Sequence, residues 1–222
     1  MRDLSLHQTQ PNRDKKKVVI RNEQEKHILK QFNSSIEVVR QKDEIIQFLS
    51  AHGQSTLEIR QSQIILLMSA LDLYIHDIVK YCIIQKFNGN QTKTKQYKEL
   101  LIPMQSVELA IQNPESSDWL DEVITSINQY KSFTSYGKIK NQLEAVGLKS
   151  KKFNELVLKT ESDFGVSDLI EKLRSLRNRL AHQDQESINS LELELTEEKI
   201  NQYIGFIYQL VQDIHQTIIE LD

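Results

Sequence analysis

Ile64-Ile65-Leu66-Leu67-Met68-Ser69-Ala70-Leu71-Asp72-Leu73-Tyr74-Ile75-His76-Asp77-Ile78-Val79 would be apolar around most of its circumference if it coiled as a helix. A surface helix carries its apolar residues as a stripe on one side, whereas a helix apolar on nearly every side has to lie in the middle of a bundle. Gly53 stands before the wider segment and Asn88-Gly89-Asn90 breaks the pattern after it. A central helix over about residues 57–87 is therefore expected, and the fold class that follows is all-α.

Working outward, the apolar positions Ile28, Leu29, Phe32, Ile36, Val39, Ile45, Ile46 and Leu49 recur at helical spacing, as one long helix or two short ones. Residues 1–20, with Pro11 and Lys15-Lys16-Lys17, show no sustained periodicity and are expected to form a flexible N-terminal arm. After the polar stretch with Lys93, Lys95 and Lys98 comes an apolar segment over 100–111. Asn113-Pro114-Glu115 then resembles a helix start, with Trp119, Leu120, Val123, Ile124 and Ile127 as its buried face. Short helices are expected at about 137–146 and 151–158, separated by Gly147. Beyond the loop Ser162-Asp163-Phe164-Gly165, the residues Val166, Leu169, Ile170, Leu173, Leu176 and Leu180 predict an amphipathic helix, capped by Ser167 or Asp163. A polar connector follows Asp184, and Leu191, Leu193 and Leu195 alternate with glutamates as a short extended piece. Thr196-Glu197-Glu198-Lys199 then opens a last helix that runs to the C-terminus. Residues 21–222 thus read as a single all-helical domain, in which 21–53 is an N-terminal helical extension on a core of 57–222.

Bulk composition narrows the chemistry. The 222 residues are 39% hydrophobic and 27% charged, with only 6 Gly and 3 Pro, which suits one domain of long helices better than sheet or disorder. A formal net charge of -3 supplies no global basic field, so any contact with nucleic acid has to use a local patch. Cys82 is the single cysteine, which excludes a disulfide within the chain and a cysteine zinc cluster. The most apolar stretch is interrupted by Asp72, His76 and Asp77, and the first residues lack the apolar core of a secretory signal. A cytoplasmic protein without a membrane span is the expectation. His7, His27, His52 and His215 are scattered without ligand spacing, and no His-Glu-x-x-His, Gly-rich phosphate loop or carboxylate cluster occurs. Neither a metal nor another cofactor is expected.

The chemistry is expected where polar residues end an otherwise apolar helix, in Leu173-Arg174-Ser175-Leu176-Arg177-Asn178-Arg179-Leu180-Ala181-His182-Gln183-Asp184. At about 3.6 residues per turn Asn178 and His182 share a face, and Arg177 flanks Asn178. Imidazole exchanges a proton near neutral pH, and guanidinium is a permanent cation whose donor fork fits phosphate oxygens. Such groups can cleave RNA without a metal, by moving protons at the ribose 2′-OH and the leaving 5′-oxygen and by steadying the charged phosphorane. One histidine cannot easily make both proton transfers in a single geometry, so a site built from two copies across a two-fold axis is chemically attractive. The bland alternative is a helix end that carries Arg and His to complement its dipole. Arg174, Arg179, Lys172 and the group Lys149, Lys151, Lys152 could steer RNA, although such residues are usually only solvated.

The segment Arg177-Asn178-Arg179-Leu180-Ala181-His182 resembles the Arg, four residues, His signature of the HEPN superfamily (higher eukaryotes and prokaryotes nucleotide-binding), including its frequent polar residue after the Arg. The apolar helix 64–79 and the stretch Leu195-Thr196-Glu197-Glu198-Lys199-Ile200 are also similar to these proteins, the RiboL-PSP type being nearest. The resemblance runs in order from Leu57 to Asp222, with no matched motif in its middle third, and the N-terminal helices stand outside the minimal pattern. It implies a HEPN-like helical bundle that forms a homodimer, with the Arg and His of both subunits making a composite RNase site. Toxin–antitoxin and antiviral systems are the usual setting, with an antitoxin or other regulatory partner. By position, Arg177 would contact the scissile phosphate, Asn178 would orient His182, and His182 would be the acid or base. Some members of the family have lost activity and serve as binding or dimerisation modules. Asp72 or Asp77 would be auxiliary, pairing with Arg177 or tuning His182, if the central helix packs beside the motif helix, and Arg179 within the motif is the third auxiliary candidate.

Overall fold

The computed structural model describes residues 11–113, 116–182 and 194–221, with side chains from Glu23 onward and excepting that of His182. All elements among the described residues are helices: α1 (Pro11–Ala51), α2 (Leu57–Phe87), α3 (Lys95–Lys98), α4 (Met104–Gln112), α5 (Asp118–Asn128), α6 (Tyr136–Ala145), α7 (Ser150–Asp163), α8 (Leu169–His182) and α9 (Glu197–Ile219). The all-α bundle expected from residues 64–79 is what the chain forms.

α2 is the axis around which the others assemble, touching α1, α5, α6, α8 and α9. Ile64, Leu67, Leu71, Ile75, Ile78 and Cys82 on it are fully buried. By length and composition α2 could cross a membrane, but more than half of its apolar window is buried inside the bundle, where neighbouring helices cover it. The turn before it ends α1 through the amides of His52, Gly53 and Gln54, which return to the carbonyls of Leu49 and Ser50. Gly53 supplies the left-handed φ of +64° that such a helix stop requires.

α1 is a single helix and starts at Pro11, so residues 11–20 are helical rather than part of an arm. Proline suits a first helical turn because the amide it lacks has no intrahelical partner there. Residues 1–10 lie outside the described residues. α1 is also no appended extension, because its Phe32, Ile36 and Val39 lie in the common core. Phe32 packs on Tyr74 with ring centroids 5.6 Å apart. Gln63 of α2 donates to the Val39 carbonyl at 3.1 Å and to Asp43 Oδ1 at 2.8 Å, which sets the register of the pair.

The middle of the chain differs in its boundaries. α5 starts at Asp118, whose amide bonds to Ser116 Oγ at 3.1 Å; Pro114 and Glu115, expected at the start, lie outside the described residues. α7 continues to Asp163, past the expected end near residue 158, because Thr160 and Glu161 in its last turns are buried and satisfied. Thr160 Oγ1 donates to the Leu156 carbonyl at 2.9 Å, and Glu161 Oε1 accepts the Leu169 amide at the same distance. Glu161 therefore takes an amide at the start of α8, where Ser167 or Asp163 was expected to cap. Of the expected extended piece, Leu191 and Leu193 lie outside the described residues, while Leu195 is fully buried in the core. Thr196 then caps α9, its side chain accepting the Lys199 amide.

Candidate functional site at the end of α8

Leu169, Leu173, Leu176 and Leu180 are buried, and with this face α8 packs on α2. The spacing that buries those leucines turns the polar residues between them outward. The helix is continuous through His182, so Asn178 and His182 stand one turn apart on one face, as their spacing predicts. The His182 side chain lies outside the described residues. Arg177 is exposed, and its Nη1 donates to Asn178 Oδ1 at 3.4 Å, a long contact that leaves most of the guanidinium fork to solvent.

Arg179, two positions on, has different surroundings. Its Nη2 forms an ion pair with Glu194 Oε2, and its Nε is buried without a hydrogen-bond partner among the described residues. Beside it, Arg60 Nη1 at the start of α2 donates to the Leu195 carbonyl at 3.0 Å. Arg174 is also engaged, its Nε 2.6 Å from Glu171 Oε2. Burial first, the Arg174 hydrogen bond second and the Tyr136 amide third act on Glu171; burial opposes the other two, and the net effect lowers its pKa. Of the cations considered for steering RNA, Arg174 and Arg179 are thus paired, while Lys172, Lys149, Lys151 and Lys152 are exposed.

Neither aspartate of α2 forms a hydrogen bond or ion pair with Arg177 among the described residues. Asp72 Oδ1 accepts the Phe133 amide at 2.5 Å and lies 3.6 Å from His76 Nε2, pinning the loop before α6 to α2. Asp77 lines a cleft of about 730 Å³ between α1, α2 and α5, to which α8 contributes no residue; burial raises its carboxyl pKa. His215 is buried and lies 3.2 Å from the Tyr74 hydroxyl through its Nδ1, with burial lowering its pKa to about 4. Among the described residues no three His, Cys, Asp or Glu side chains converge as a metal site.

Reasoning from the sequence missed Arg60 and Glu194. The local pattern carries no sign of either, because their partners are 135 and 15 positions away.

Fold and site together define an all-helical bundle whose central helix supports a surface helix ending in Arg, four residues, His. The chain belongs to the RiboL-PSP-HEPN family, whose family model matches residues 19–220. That span takes in most of α1, in agreement with the place of α1 in the core. No curated protein and no solved structure matches the chain significantly.

Proposed function

We propose that the protein is a metal-independent endoribonuclease acting on single-stranded or looped RNA, with a composite site made from the α8 ends of two copies. The observation that carries this reading is Arg177, exposed and without a carboxylate partner among the described residues, on the same unbroken helix as Asn178 and His182 in a chain of this family.

In the proposed reaction an imidazole takes the proton from a ribose 2′-OH, and that oxygen bonds to the adjacent phosphorus. The bond to the 5′-oxygen then breaks, and the leaving oxygen takes a proton from the second histidine, which enters the step as imidazolium and leaves it neutral. The products are a 2′,3′-cyclic phosphate and a 5′-hydroxyl. Arg177 offsets charge on the phosphorane, where a preorganised cation stabilises the transition state more than the ground state. Unpaired RNA is the suitable substrate, because its 2′-OH is free to reach in-line geometry.

One copy supplies one motif histidine, so the reading includes a homodimer. Ile65, Leu66 and Leu73 give α2, the helix on which α8 packs, an exposed apolar stripe that a second copy could cover. A toxin or antiviral effector, held in check by an antitoxin or regulatory partner, is the biological role we propose.

The test is cleavage of an RNA oligonucleotide in chelator. Wild type is expected to cut RNA and not DNA, His182→Ala to lose cutting by about 10³-fold, the scale of removing an acid–base group, and Arg177→Ala by about 10²-fold or more, the scale of removing a charge-stabilising group. Dimers that persist while RNA stays intact would instead identify a non-catalytic dimerisation or nucleotide-binding module.

A further inference from the structure

The two arginines of Arg177-Asn178-Arg179 do different things. Arg177 faces solvent with one long contact to its neighbour, whereas Arg179 turns to the Glu194–Leu195 corner that leads into α9. That corner is fixed from three directions. Arg179 reaches Glu194 from α8, Arg60 donates to the Leu195 carbonyl from α2, and Thr196 caps α9. The Leu195 side chain is fully buried beneath. Arg60 and Arg179 each have a buried Nε with no hydrogen-bond partner among the described residues, so each guanidinium is sunk along one edge while its outer nitrogens bind the corner. Tyr203 lies against the pair, its phenol pKa raised by burial first and by Glu194 second, with Arg179 opposing.

The last turn of a helix has carbonyls without intrahelical partners, and it frays unless something outside the helix holds it. In α8 that turn carries the motif. Leu176 and Leu180 hold it on the α2 side, and among the described residues Arg179 ties it by its side chain to the chain beyond His182.

We infer that Arg179 and Arg60 are positioning residues for the motif: they clamp the end of α8 and the start of α9 to one corner and so set where Arg177 and His182 stand. The effect on cleavage rests on the ribonuclease reading; the clamp itself does not. Arg179 acts through Glu194 and makes no phosphate contact. Its removal therefore changes kcat, while the dependence of RNA binding on salt stays as in wild type. A residue that touched phosphate would lower the salt slope by about one.

The experiment uses the full chain, a short single-stranded RNA, and the variants Arg179→Glu, Glu194→Arg and the two together. Each single exchange is expected to lower kcat by about tenfold or more, the sensitivity of catalysis to small displacements. KM should stay within about twofold and the salt slope unchanged. The double exchange restores the ion pair in reverse and is expected to recover most of kcat, as coupled neighbours do. Arg60→Ala should lower kcat in the same manner. If an exchange fails to fold by circular dichroism, Arg179→Lys, which keeps a cation opposite Glu194, is expected to retain most of kcat and Arg179→Gln, which removes it, to lose about tenfold; equal kcat in the two would overturn the inference.

A double exchange no better than the poorer single one, or a reduced salt slope in Arg179→Glu, would overturn the inference. A second readout is independent of activity: the His182 imidazole signals in NMR should move in both single exchanges and return in the double. If wild type cuts no RNA, the ribonuclease reading fails by itself. His182 signals that stay put in both single exchanges would refute the clamp.

Discussion

Arg177 and Arg179 sit two positions apart, yet the helix turns one to solvent and the other to Glu194, so the same side chain has opposite uses within one motif. A guanidinium without a carboxylate partner is available to a phosphate, and one already paired is committed to structure. His215 shows the same dependence on surroundings. Buried beside Tyr74, with its pKa lowered to about 4, it stays neutral in the fold while an exposed histidine of the unfolded chain would titrate at its ordinary value of 6.5. Between those two values the unfolded state binds the extra proton, so stability is full above the upper value and is lost as pH falls toward the lower one. The difference corresponds to about 3 kcal/mol. Urea unfolding at pH 7 and pH 4.5 should show the greater part of that loss, and His215→Phe should remove the histidine-dependent part. An unchanged acid slope in the variant would show that other groups carry it.

At the level of elements, α1 is the part that the structure ties most closely into the core beyond what its spacing predicts. Its Phe32 packs on Tyr74 of the central helix and is buried with Ile36 and Val39, so α1 contributes to the same core as the motif helix. Phe32→Ala should cost about 3–5 kcal/mol, the usual range for emptying a buried aromatic site. At about 2–4 °C per kcal/mol for a chain of this size, the melting temperature should fall by roughly 10 °C in one transition. A separate early transition that left the rest of the melt unmoved would mean that α1 folds as an appendage.

The whole molecule presents an unusual surface for a protein of net charge -3: an apolar stripe of Ile65, Leu66 and Leu73 on the outer side of its most buried helix. In the proposed dimer this stripe is covered. Leu73, 51% exposed, is the probe of choice, because a charge there is harmless to a monomer and costly inside an interface. Leu73→Glu should convert dimer to monomer in analytical ultracentrifugation and lose RNA cleavage, with an unchanged circular dichroism spectrum. Full cleavage by a monomeric variant would rule out the composite site.

The sequence by itself determined the elements whose cause is local. Residues 57–87 stand as α2 because an all-round apolar run between Gly53 and Asn88-Gly89-Asn90 has few other solutions, and the polar end of α8 follows from helical spacing. The structure departs from the spacing where a polar residue is buried with a partner, as at Thr160 and Glu161, whose bonds extend α7 and seat α8. Only the tertiary structure decided which side of α2 meets which neighbour, because a helix apolar on nearly every side carries no mark of its orientation. For that reason Asp72 and Asp77, named as auxiliaries from the sequence, face the loop before α6 and the cleft beside α1. Arg179, grouped from the sequence with the RNA-steering cations, is bound instead to a carboxylate 15 residues away, a pairing that folding creates and spacing cannot show.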